Sequence, residues 1–456
     1  MIAKLTRVLH AHTWARVTAA VLVVVVTACT ETPLEEGAIP TPPSASASAT
    51  SSASPGPGPS SSPSPTPDTP AEGGAPSLRL TPPPGGSFLV RGRYPSVATR
   101  CKEAEPLTLS GRFPGTLRAR RADDGTLALT VVLPFDRYLE GIAEVPPSWP
   151  TAALEAQAIA ARSYALATTG WSGDEGEALD QPICATPSCQ VYRGIPVPAD
   201  PAHRRWVRAV RRTEGKVLLH DGRLATTVYF STSDGRTYAN EEIFGSAPLP
   251  YLRSVPERDD GASPTSRWRV RLPFDDLTRF LRAAGLWPRG RAISIARPRG
   301  TSLTVRGTGA IRSIDAADLR DAVNTWAPCL RPGRYPPESP KGALPLTIPS
   351  RWLHLSSTES ALIVTGRGWG HGVGMVQWGA YGKARKGQAA SDILAYYYGG
   401  LRPEDHPEPG MIRVRVTSGL TMLRILPSGP GAKIGGRALG TNFVVISGGD
   451  RLHVRD

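Results

Sequence analysis

A long stretch that cannot contribute to a hydrophobic core divides this chain into two unequal parts. From residue 41 to residue 70, every residue except Asp68 is Ser, Pro, Thr, Ala or Gly. Such a segment cannot bury apolar surface and stays extended and solvated. We therefore expect a Ser/Pro-rich linker over residues 29–77 and a folded part that begins near Leu78.

The residues before this linker have the pattern of a secretory signal peptide. Three basic residues precede the apolar run 17–28, which is too short to span a bilayer. The run ends in Val-Thr-Ala-Cys, which resembles a bacterial lipobox, with Cys29 as the lipidated residue. Ordinary signal cleavage beside an incidental Cys is the alternative. The chain is thus predicted to be extracytoplasmic, with a signal peptide at 1–28 and a lipid anchor on Cys29.

The folded part is predicted to be α+β. The chain has 47 Gly and 46 Pro residues, which exclude long coiled coils and favour short strands and turns. Strand-like runs cover 87–90, 107–109, 127–132, 216–219, 226–230, 411–416, 422–426 and 442–446, and helical patterns cover 151–168, 274–284 and 391–397. We expect short twisted strands, a long helix behind the candidate catalytic residue and a substrate cleft between lobes. The main domain should cover 78–405, and a small β-rich tail 406–456.

The charge of the chain indicates what it can bind. The formal net charge is +14, but the basic residues are scattered and show neither helix-turn-helix nor zinc-finger spacing. Nucleic acid is therefore not expected as a partner. An anionic polymer outside the cell would suit the charge equally well.

Four cysteines follow the lipobox: Cys101, Cys184, Cys189 and Cys329. An even number in an oxidising compartment favours disulfides. Cys184 and Cys189 enclose four residues and suggest a local link, which leaves Cys101 and Cys329 for a long-range one. A zinc site is the alternative, although only His203 lies near in sequence.

Glu144 is the first candidate for chemistry. It precedes Pro146 and lies where a short helix should stop, before the long helix that follows Pro150. Its neighbours Val145 and Trp149 are apolar, and apolar surroundings favour the protonated form that a general acid needs. A solvated surface glutamate is the alternative that the local pattern leaves open.

The second candidate is the segment 366–375, in which glycine occupies every second position up to Gly374. In an extended strand this pattern would leave one face as bare backbone, with Trp369 and His371 on the other. We therefore expect a strand that allows close approach of another chain or of a substrate, with His371 and Gln377 as cleft residues.

These segments resemble the stage II sporulation protein D family, which also includes amidase-enhancer proteins. The resemblance rests on motifs at 138–146, 156–165, 189–194, 229–237 and 366–375, in that order along the chain. Members of this family that act as enzymes are peptidoglycan lytic transglycosylases. Their catalytic Glu stands in an E-M-P motif before the long helix, and the matching residue here is Glu144 in Glu-Val-Pro.

The resemblance implies that the chain cleaves MurNAc–GlcNAc bonds of peptidoglycan, leaves 1,6-anhydro ends and needs no cofactor. Arg162 matches a residue that is important in the family, and we expect substrate binding by Arg162, Tyr164, Ser231, Ser233, Trp369, His371 and Gln377. Some relatives carry zinc near the positions of Cys184 and Cys189, which keeps zinc as an alternative there. Glu155 departs from the family, since characterised members have a Lys at that position.

Two other functions fit the same sequence. One is a non-catalytic enhancer that binds glycan strands and stimulates a cell-wall amidase. The other is an envelope-anchored binding or structural protein. Both would use the predicted lipid anchor and linker, so those features do not decide between them.

The lipobox yields a direct prediction. Cys29→Ala removes the thiol that would carry the lipid, so the variant should move from the membrane fraction to the soluble fraction. Fractionation followed by immunoblotting measures this. Unchanged membrane retention of Cys29→Ala would contradict lipid attachment at this residue.

Overall fold

The computed structural model describes residues 77–96, 101, 111–170, 182–196, 201–299, 302–336, 347–438, 440, 442–448 and 451–455. The predicted signal peptide, Cys29, the linker up to residue 76 and the predicted strand 107–109 lie outside these residues. In the described part, no helix combines the length and the apolar character needed to cross a bilayer.

The described chain has a mixed α+β fold, as predicted. Its helices are α1 (Phe135–Glu140), α2 (Thr151–Thr168), α3 (His203–Arg212), α4 (Asn240–Phe244), α5 (Phe274–Ala283), α6 (Ala316–Leu330), α7 (Gln377–Arg385) and α8 (Ala390–Tyr397). The first twelve strands are β1 (Ser77–Thr81), β2 (Phe88–Arg93), β3 (Gly111–Arg112), β4 (Thr116–Arg121), β5 (Leu127–Pro134), β6 (Ile183–Cys184), β7 (Ile195–Pro196), β8 (Lys216–His220), β9 (Arg223–Leu224), β10 (Tyr229–Phe230), β11 (Trp268–Pro273) and β12 (Ala292–Arg299). The others are β13 (Ser302–Gly307), β14 (Ile311–Asp315), β15 (Leu353–Ser357), β16 (Ala361–Gly366), β17 (Met375–Val376), β18 (Pro403–Asp405), β19 (Met411–Leu420), β20 (Met422–Pro427), β21 (Lys433–Ile434), β22 (Arg437–Ala438), β23 (Phe443–Gly448) and β24 (Arg451–Arg455).

The largest sheet joins both ends of the folded part. Its seven strands lie in the order β22-β21-β1-β4-β5-β19-β6, and β19 is antiparallel to β5. β5 alternates buried and partly exposed residues, which is the period expected of a strand with one face on a core. In a second sheet, β2-β20-β23-β24, β2 from the start of the folded part pairs with strands from the C-terminal part. Strand pairing therefore crosses the predicted boundary between residues 405 and 406, and the β-rich tail completes the main sheet.

A separate core forms between β11 and β16. It contains α5, α6 and two three-stranded sheets, β11-β16-β15 and β12-β13-β14. The disulfide Cys101–Cys329 ties this lobe to the N-terminal part of the chain, and Cys101 is buried in the lobe's core. The second predicted pair, Cys184–Cys189, is also formed. Both pairings agree with the prediction from the sequence.

The predicted helices are found close to their expected limits. α2 has the predicted bounds, with Pro150 as its N-cap residue, and α5 ends one residue earlier than expected. Sequence reasoning missed α3, because it predicts only the strand-like runs 216–219 and 226–230 in this part of the chain. The helical signal was present, since Trp206, Ala209 and Val210 recur at three- and four-residue spacing and are buried on one face.

The glycine-rich segment is not the extended strand that its alternation suggested. After β16, the chain runs through residues 367–374 as an irregular loop before β17 begins. All four alternating glycines of this loop have positive φ: Gly368, Gly370, Gly372 and Gly374. Periodicity of two cannot distinguish a strand from a loop in which every second residue is left-handed.

The close approach that glycine allows is used by the protein itself. A Cβ on Gly368 would lie 2.7 Å from the Thr232 carbonyl oxygen, and one on Gly370 would lie 2.7 Å from Phe230 Cβ. The loop is thereby fixed against residues 228–233, beside the parallel pair formed by β10 and β17. The bare backbone thus packs against the neighbouring chain segment.

A pair of alanine variants tests this packing. Gly374 and Gly387 both have positive φ, but a Cβ on Gly374 would overlap the Val228 carbonyl, whereas one on Gly387 would have open space. Gly387→Ala should cost about 1–2 kcal/mol from backbone strain alone. Gly374→Ala should cost at least ~3 kcal/mol, because a steric clash is added. Chemical denaturation measures both, and equal losses would contradict the close approach.

Candidate functional site

Glu144 lies in a bend between two helices. α1 ends at Glu140, and α2 begins only after Pro150, so residues 141–150 connect them without helical structure. The Glu144 residue is half-buried, and Val145 and Trp149 beside it are buried. The prolines stop the helix here because they lack a backbone N–H and fix φ. The carboxyl group is thus presented from a short, rigid connection.

A backbone ladder fixes the position of this carboxyl group. Ala143 N donates to the Val191 carbonyl oxygen (2.9 Å), and Arg193 N donates to the Gly141 carbonyl oxygen (3.0 Å). Val191 N then donates to Glu144 Oε1 at 2.7 Å. The Glu144 side chain therefore accepts the next hydrogen bond of the ladder, after its backbone–backbone bonds. One carboxyl oxygen is held by a rigid donor.

The segment that supplies this donor is itself anchored. The Cys184–Cys189 disulfide closes the loop immediately before it. Next to that loop, Gln190 is completely buried, accepts from the Tyr138 hydroxyl (2.9 Å) and donates to the Ala161 carbonyl oxygen of α2 (2.9 Å). The ladder is thereby tied to both α1 and α2. The bonded sulfurs are not available as thiolate ligands, and no group of three or more potential metal ligands occurs among the described residues.

Two buried tyrosine hydroxyls respond to the charge of Glu144. Burial raises the pKa of the Tyr138 hydroxyl well above its usual value, and negative charge on Tyr164 and Glu144 would raise it further. Burial likewise raises the pKa of the Tyr229 hydroxyl, with the charge of Glu144 as the next cause. Tyr164 and Glu144 thus both act on the Tyr138 hydroxyl, and their shared place in a substrate site stays a prediction. Tyr138 and Tyr229 were not predicted as site residues.

His371 is held by backbone groups on both ring nitrogens. Val373 N donates to Nδ1 (3.1 Å), so Nδ1 carries no proton and Nε2 donates to the Tyr229 carbonyl oxygen (2.9 Å). The rings of Phe230 and Phe244 flank the imidazole. These bonds leave the neutral imidazole as a link between the glycine loop and β10. Both ring nitrogens are therefore engaged within the protein, whereas the sequence predicted contact of His371 with substrate.

Arg162 also differs from its predicted role. The residue is 1 % exposed, and its Nε pairs with Glu408. Its terminal nitrogens bond to the Val210 carbonyl oxygen (3.1 Å) and to Thr213 Oγ1 (3.3 Å). Burial lowers the pKa of the guanidinium, and the charge of Glu408 opposes this shift. Arg162 thus ties α2 to α3 and to the C-terminal segment, and a substrate could not reach it without breaking these bonds.

The remaining predicted binding residues differ in accessibility. Ser233 is buried, and its Oγ donates to Asp260 Oδ2 (2.8 Å), so it fixes a turn. Trp369 is 7 % exposed and pairs through its backbone with Thr232. Gln377 is buried and donates to Gln157 Oε1 at 3.4 Å. Ser231 is half-buried, and its carbonyl oxygen accepts from Trp378 N (3.0 Å).

An aromatic cluster that includes Trp149, from the same connection as Glu144, was missed by sequence reasoning. Trp149 lies against Trp378 (ring centroids 4.9 Å apart) and Tyr381 (5.2 Å), which lie on α7. Trp378 and Tyr381 are half-buried, and Arg385 Nη1 donates to the Tyr381 hydroxyl (3.2 Å). Their three-residue spacing on one helix face was a signal, but only the fold shows that Trp149 joins them. Half-exposed aromatic rings beside arginine are suited to stacking on sugar rings.

The match to a known protein family covers the part of the chain that contains this site. Residues 123–220 match the model of the SpoIID family, described as Stage II sporulation protein. This range contains Glu144, the ladder and the local disulfide. The chain is 30% identical to the amidase enhancer of Bacillus subtilis over 56% of its own length, although the match covers only 38% of that protein.

Two further relatives are matched over more of their length. The chain is 25% identical to the stage II sporulation protein D of Bacillus subtilis over 59% of this chain and 74% of the relative. It is 28% identical to an uncharacterized protein of Brachyspira hyodysenteriae over 66% of this chain and 74% of that protein. These are similarities of sequence and carry no assignment of activity by themselves.

The structural role of Arg162 can be tested by stability. Arg162→Met should lower the free energy of unfolding by about 3–5 kcal/mol, because it leaves Glu408 without its buried partner. Arg212→Met is the control, since its exposed pair with Glu155 (3.8 Å) should contribute less than ~1 kcal/mol. Denaturant unfolding measures both. A stable Arg162→Met variant that has lost only glycan affinity would instead support substrate contact.

Proposed function

We propose that this protein is a peptidoglycan lytic transglycosylase in which Glu144 is the general acid and base. The observation that carries the proposal is the Glu144 carboxyl group, half-buried among apolar residues, with Oε1 fixed by Val191 N. A fixed carboxyl group at the end of a rigid connection suits proton transfer to a bound substrate. The matches to proteins named stage II sporulation protein D and amidase enhancer support a role at the cell wall.

The proposed reaction needs only one carboxyl group. Glu144 donates its proton to the oxygen between MurNAc and GlcNAc, and the bond from C1 of MurNAc to that oxygen breaks. The resulting carboxylate accepts the proton of the C6 hydroxyl of the same MurNAc, whose oxygen forms the new bond to C1. The products are a 1,6-anhydro end and a free GlcNAc hydroxyl, so water is not consumed. A hydrolase would require a second carboxylate to activate water or to attack C1.

Substrate binding is proposed at Glu144 together with half-buried aromatic and hydroxyl groups. Trp378 and Tyr381 would stack on sugar faces, and Tyr164 and Ser231 would contact the same glycan strand. Arg385 and the net positive charge of the chain suit a polymer that carries carboxylates. No cofactor is part of the proposed reaction. The predicted cleft between lobes would have to hold the strand across these groups.

The proposed location is the outer face of the cell membrane. A lipid on Cys29 would anchor the protein, and the Ser/Pro-rich linker would let the folded part reach the cell wall. These features lie outside the described residues and remain predictions from the sequence.

A non-catalytic amidase enhancer is the second candidate. The similarity to the Bacillus subtilis protein of that name favours it. In this case the aromatic cluster and Glu144 would bind glycan, and a separate cell-wall amidase would be the partner. A binding protein can retain a carboxyl group in the same place. The two functions must therefore be distinguished by the products that form from glycan.

Product analysis of purified glycan separates these functions. The chain alone should generate 1,6-anhydro-MurNAc ends, which mass spectrometry detects. Release of stem peptides only when an amidase is added would identify an enhancer. A protein that binds glycan and produces neither change would be an envelope binding protein. Intact and peptide-stripped glycans, used in parallel, would show whether stem peptides must first be removed.

The role of Glu144 yields a matched pair of variants. Glu144→Gln keeps the size and the acceptor for Val191 N but removes the transferable proton, so turnover should fall ~10³–10⁴-fold while glycan binding persists. Glu155→Gln removes only the charge that pairs with Arg212 and should change turnover less than about two-fold. The yield of anhydro ends measures both. The assignment is wrong if Glu144→Gln stays active while Glu155→Gln does not.

A further inference from the structure

The exposed side of α3 is strongly basic. Half of the ten residues of this helix are exposed arginines, and none is acidic. The opposite side is apolar and packs into the main core, so the helix keeps these charges at the surface. We call the five side chains the arginine face: Arg204, Arg205, Arg208, Arg211 and Arg212.

Two arginines of this face have no acidic partner. Arg211 and Arg212 pair with carboxylates, the nearer of which is Glu140 Oε1 at 3.0 Å from Arg211 Nη2. Among the described residues, by contrast, no carboxylate lies within ion-pair distance of Arg204 or Arg208. Their guanidinium groups are planar forks of donors that match the two oxygens of a carboxylate. The face therefore has unused capacity for an anion.

The connection that carries Glu144 is bonded to α3 at both of its ends. After Glu144, Arg205 Nη2 donates to the Trp149 carbonyl oxygen (2.9 Å). Before it, Arg211 pairs with Glu140, the last residue of α1. The ring of Trp149 belongs to the aromatic cluster on which sugar rings are proposed to stack. The arginine face thus begins at a residue of the proposed glycan site.

We propose that the arginine face binds carboxylates of the stem peptide that MurNAc carries, so that the substrate of this protein is peptide-bearing glycan. This inference rests on the proposed function, because it starts from a glycan strand held at Glu144 and the aromatic cluster. Arg204 and Arg208 supply the contacts, since no carboxylate of the described chain engages them. Arg205 stays on the Trp149 carbonyl oxygen and holds the helix in place.

The dimensions of helix and peptide agree. α3 is about 15 Å long, and Arg204 and Arg208 are separated by about 6 Å along its axis. An extended peptide advances about 3.3–3.6 Å per residue, so a few residues of a stem peptide cover this distance. Stem peptides carry free carboxylates and are attached to MurNAc, the sugar whose bond is proposed to break. The contact of α3 with Trp149 favours this anion over a separate anionic polymer, which has no attachment to the bound sugar.

The lobe that contains α5 and α6 provides the matched control. Arg306 and Arg312 lie on β13 and β14, are exposed, and have no carboxylate within ion-pair distance in the described part of the chain. Replacing both with Gln removes the same charge as replacing Arg204 and Arg208 with Gln. Because Gln is a good helix former, the α3 double variant should keep its fold and its melting temperature.

The experiment measures the affinity of the full-length protein for purified glycan strands, in the Glu144→Gln background that prevents cleavage. Fluorescent strands are used with their stem peptides and after enzymatic removal of the peptides. The parent should bind peptide-bearing strands about ten-fold more tightly, because two exposed charge pairs are gained. Arg204→Gln/Arg208→Gln should bind both forms equally, and Arg306→Gln/Arg312→Gln should keep the preference. High ionic strength should abolish the preference, because it screens exposed charges.

The inference is overturned by any of three results. Equal affinity of the parent for both strand forms would show that stem peptides are not bound. Loss of the preference in both double variants would show that only net charge matters. Tighter binding of poly(glycerol phosphate) than of peptide-bearing strands would assign the face to a phosphate polymer. If the wild-type protein produces no anhydro ends, the proposed function fails instead, and the affinity comparison still decides whether the arginine face binds stem peptides.

Discussion

The hydrogen bond from Val191 N to Glu144 Oε1 is the contact on which the site depends. It continues a short ladder between residues 141–144 and 190–193, two segments separated by the whole of α2. The prolines around Glu144 prevent helix formation, so the ladder is what determines where the carboxyl group lies. Without this hydrogen bond, the Glu144 side chain would have no fixed direction for proton transfer.

Several structural elements act through this ladder. The Cys184–Cys189 disulfide closes the loop before it, and Gln190 connects it to α1 and α2 through buried hydrogen bonds. Elsewhere in the domain, β10 pairs with β17 at the end of the glycine loop, and His371 joins this loop to β10 through the Tyr229 carbonyl oxygen. The C-terminal segment also helps to hold α2 in place, since Glu408 pairs with Arg162, a buried residue of this helix. The proposed chemistry at one carboxyl group therefore relies on contacts from most of the main domain.

The sequence predicted the features that depend on local patterns. The limits of α2 follow from an apolar helical period after Pro150, and both disulfides follow from spacing and compartment. The glycine loop was predicted wrongly, because alternation is compatible with an extended strand and with alternating left-handed glycines. The local pattern gives no sign that Val228 and Thr232 would fill the space beside these glycines.

The roles of individual polar side chains were hardest to predict. Arg162 lies in a motif of the expected family, yet its charge is balanced by Glu408, which is far away in the sequence. Trp149 and Trp378 form one cluster only because α7 packs beside the connection that carries Glu144. Such roles depend on long-range packing, and the local hydrophobic periodicity of a single sequence does not reveal it.

The most direct measurement of the central claim is the fate of solvent oxygen during glycan cleavage. Purified glycan strands are cleaved by the protein in water enriched with oxygen-18, and the new MurNAc ends are analysed by mass spectrometry. If Glu144 alone transfers the proton and the C6 hydroxyl of MurNAc attacks C1, the new ends carry no label and are anhydro sugars. Labelled reducing ends would show that water attacks C1, which would contradict the single-carboxylate account.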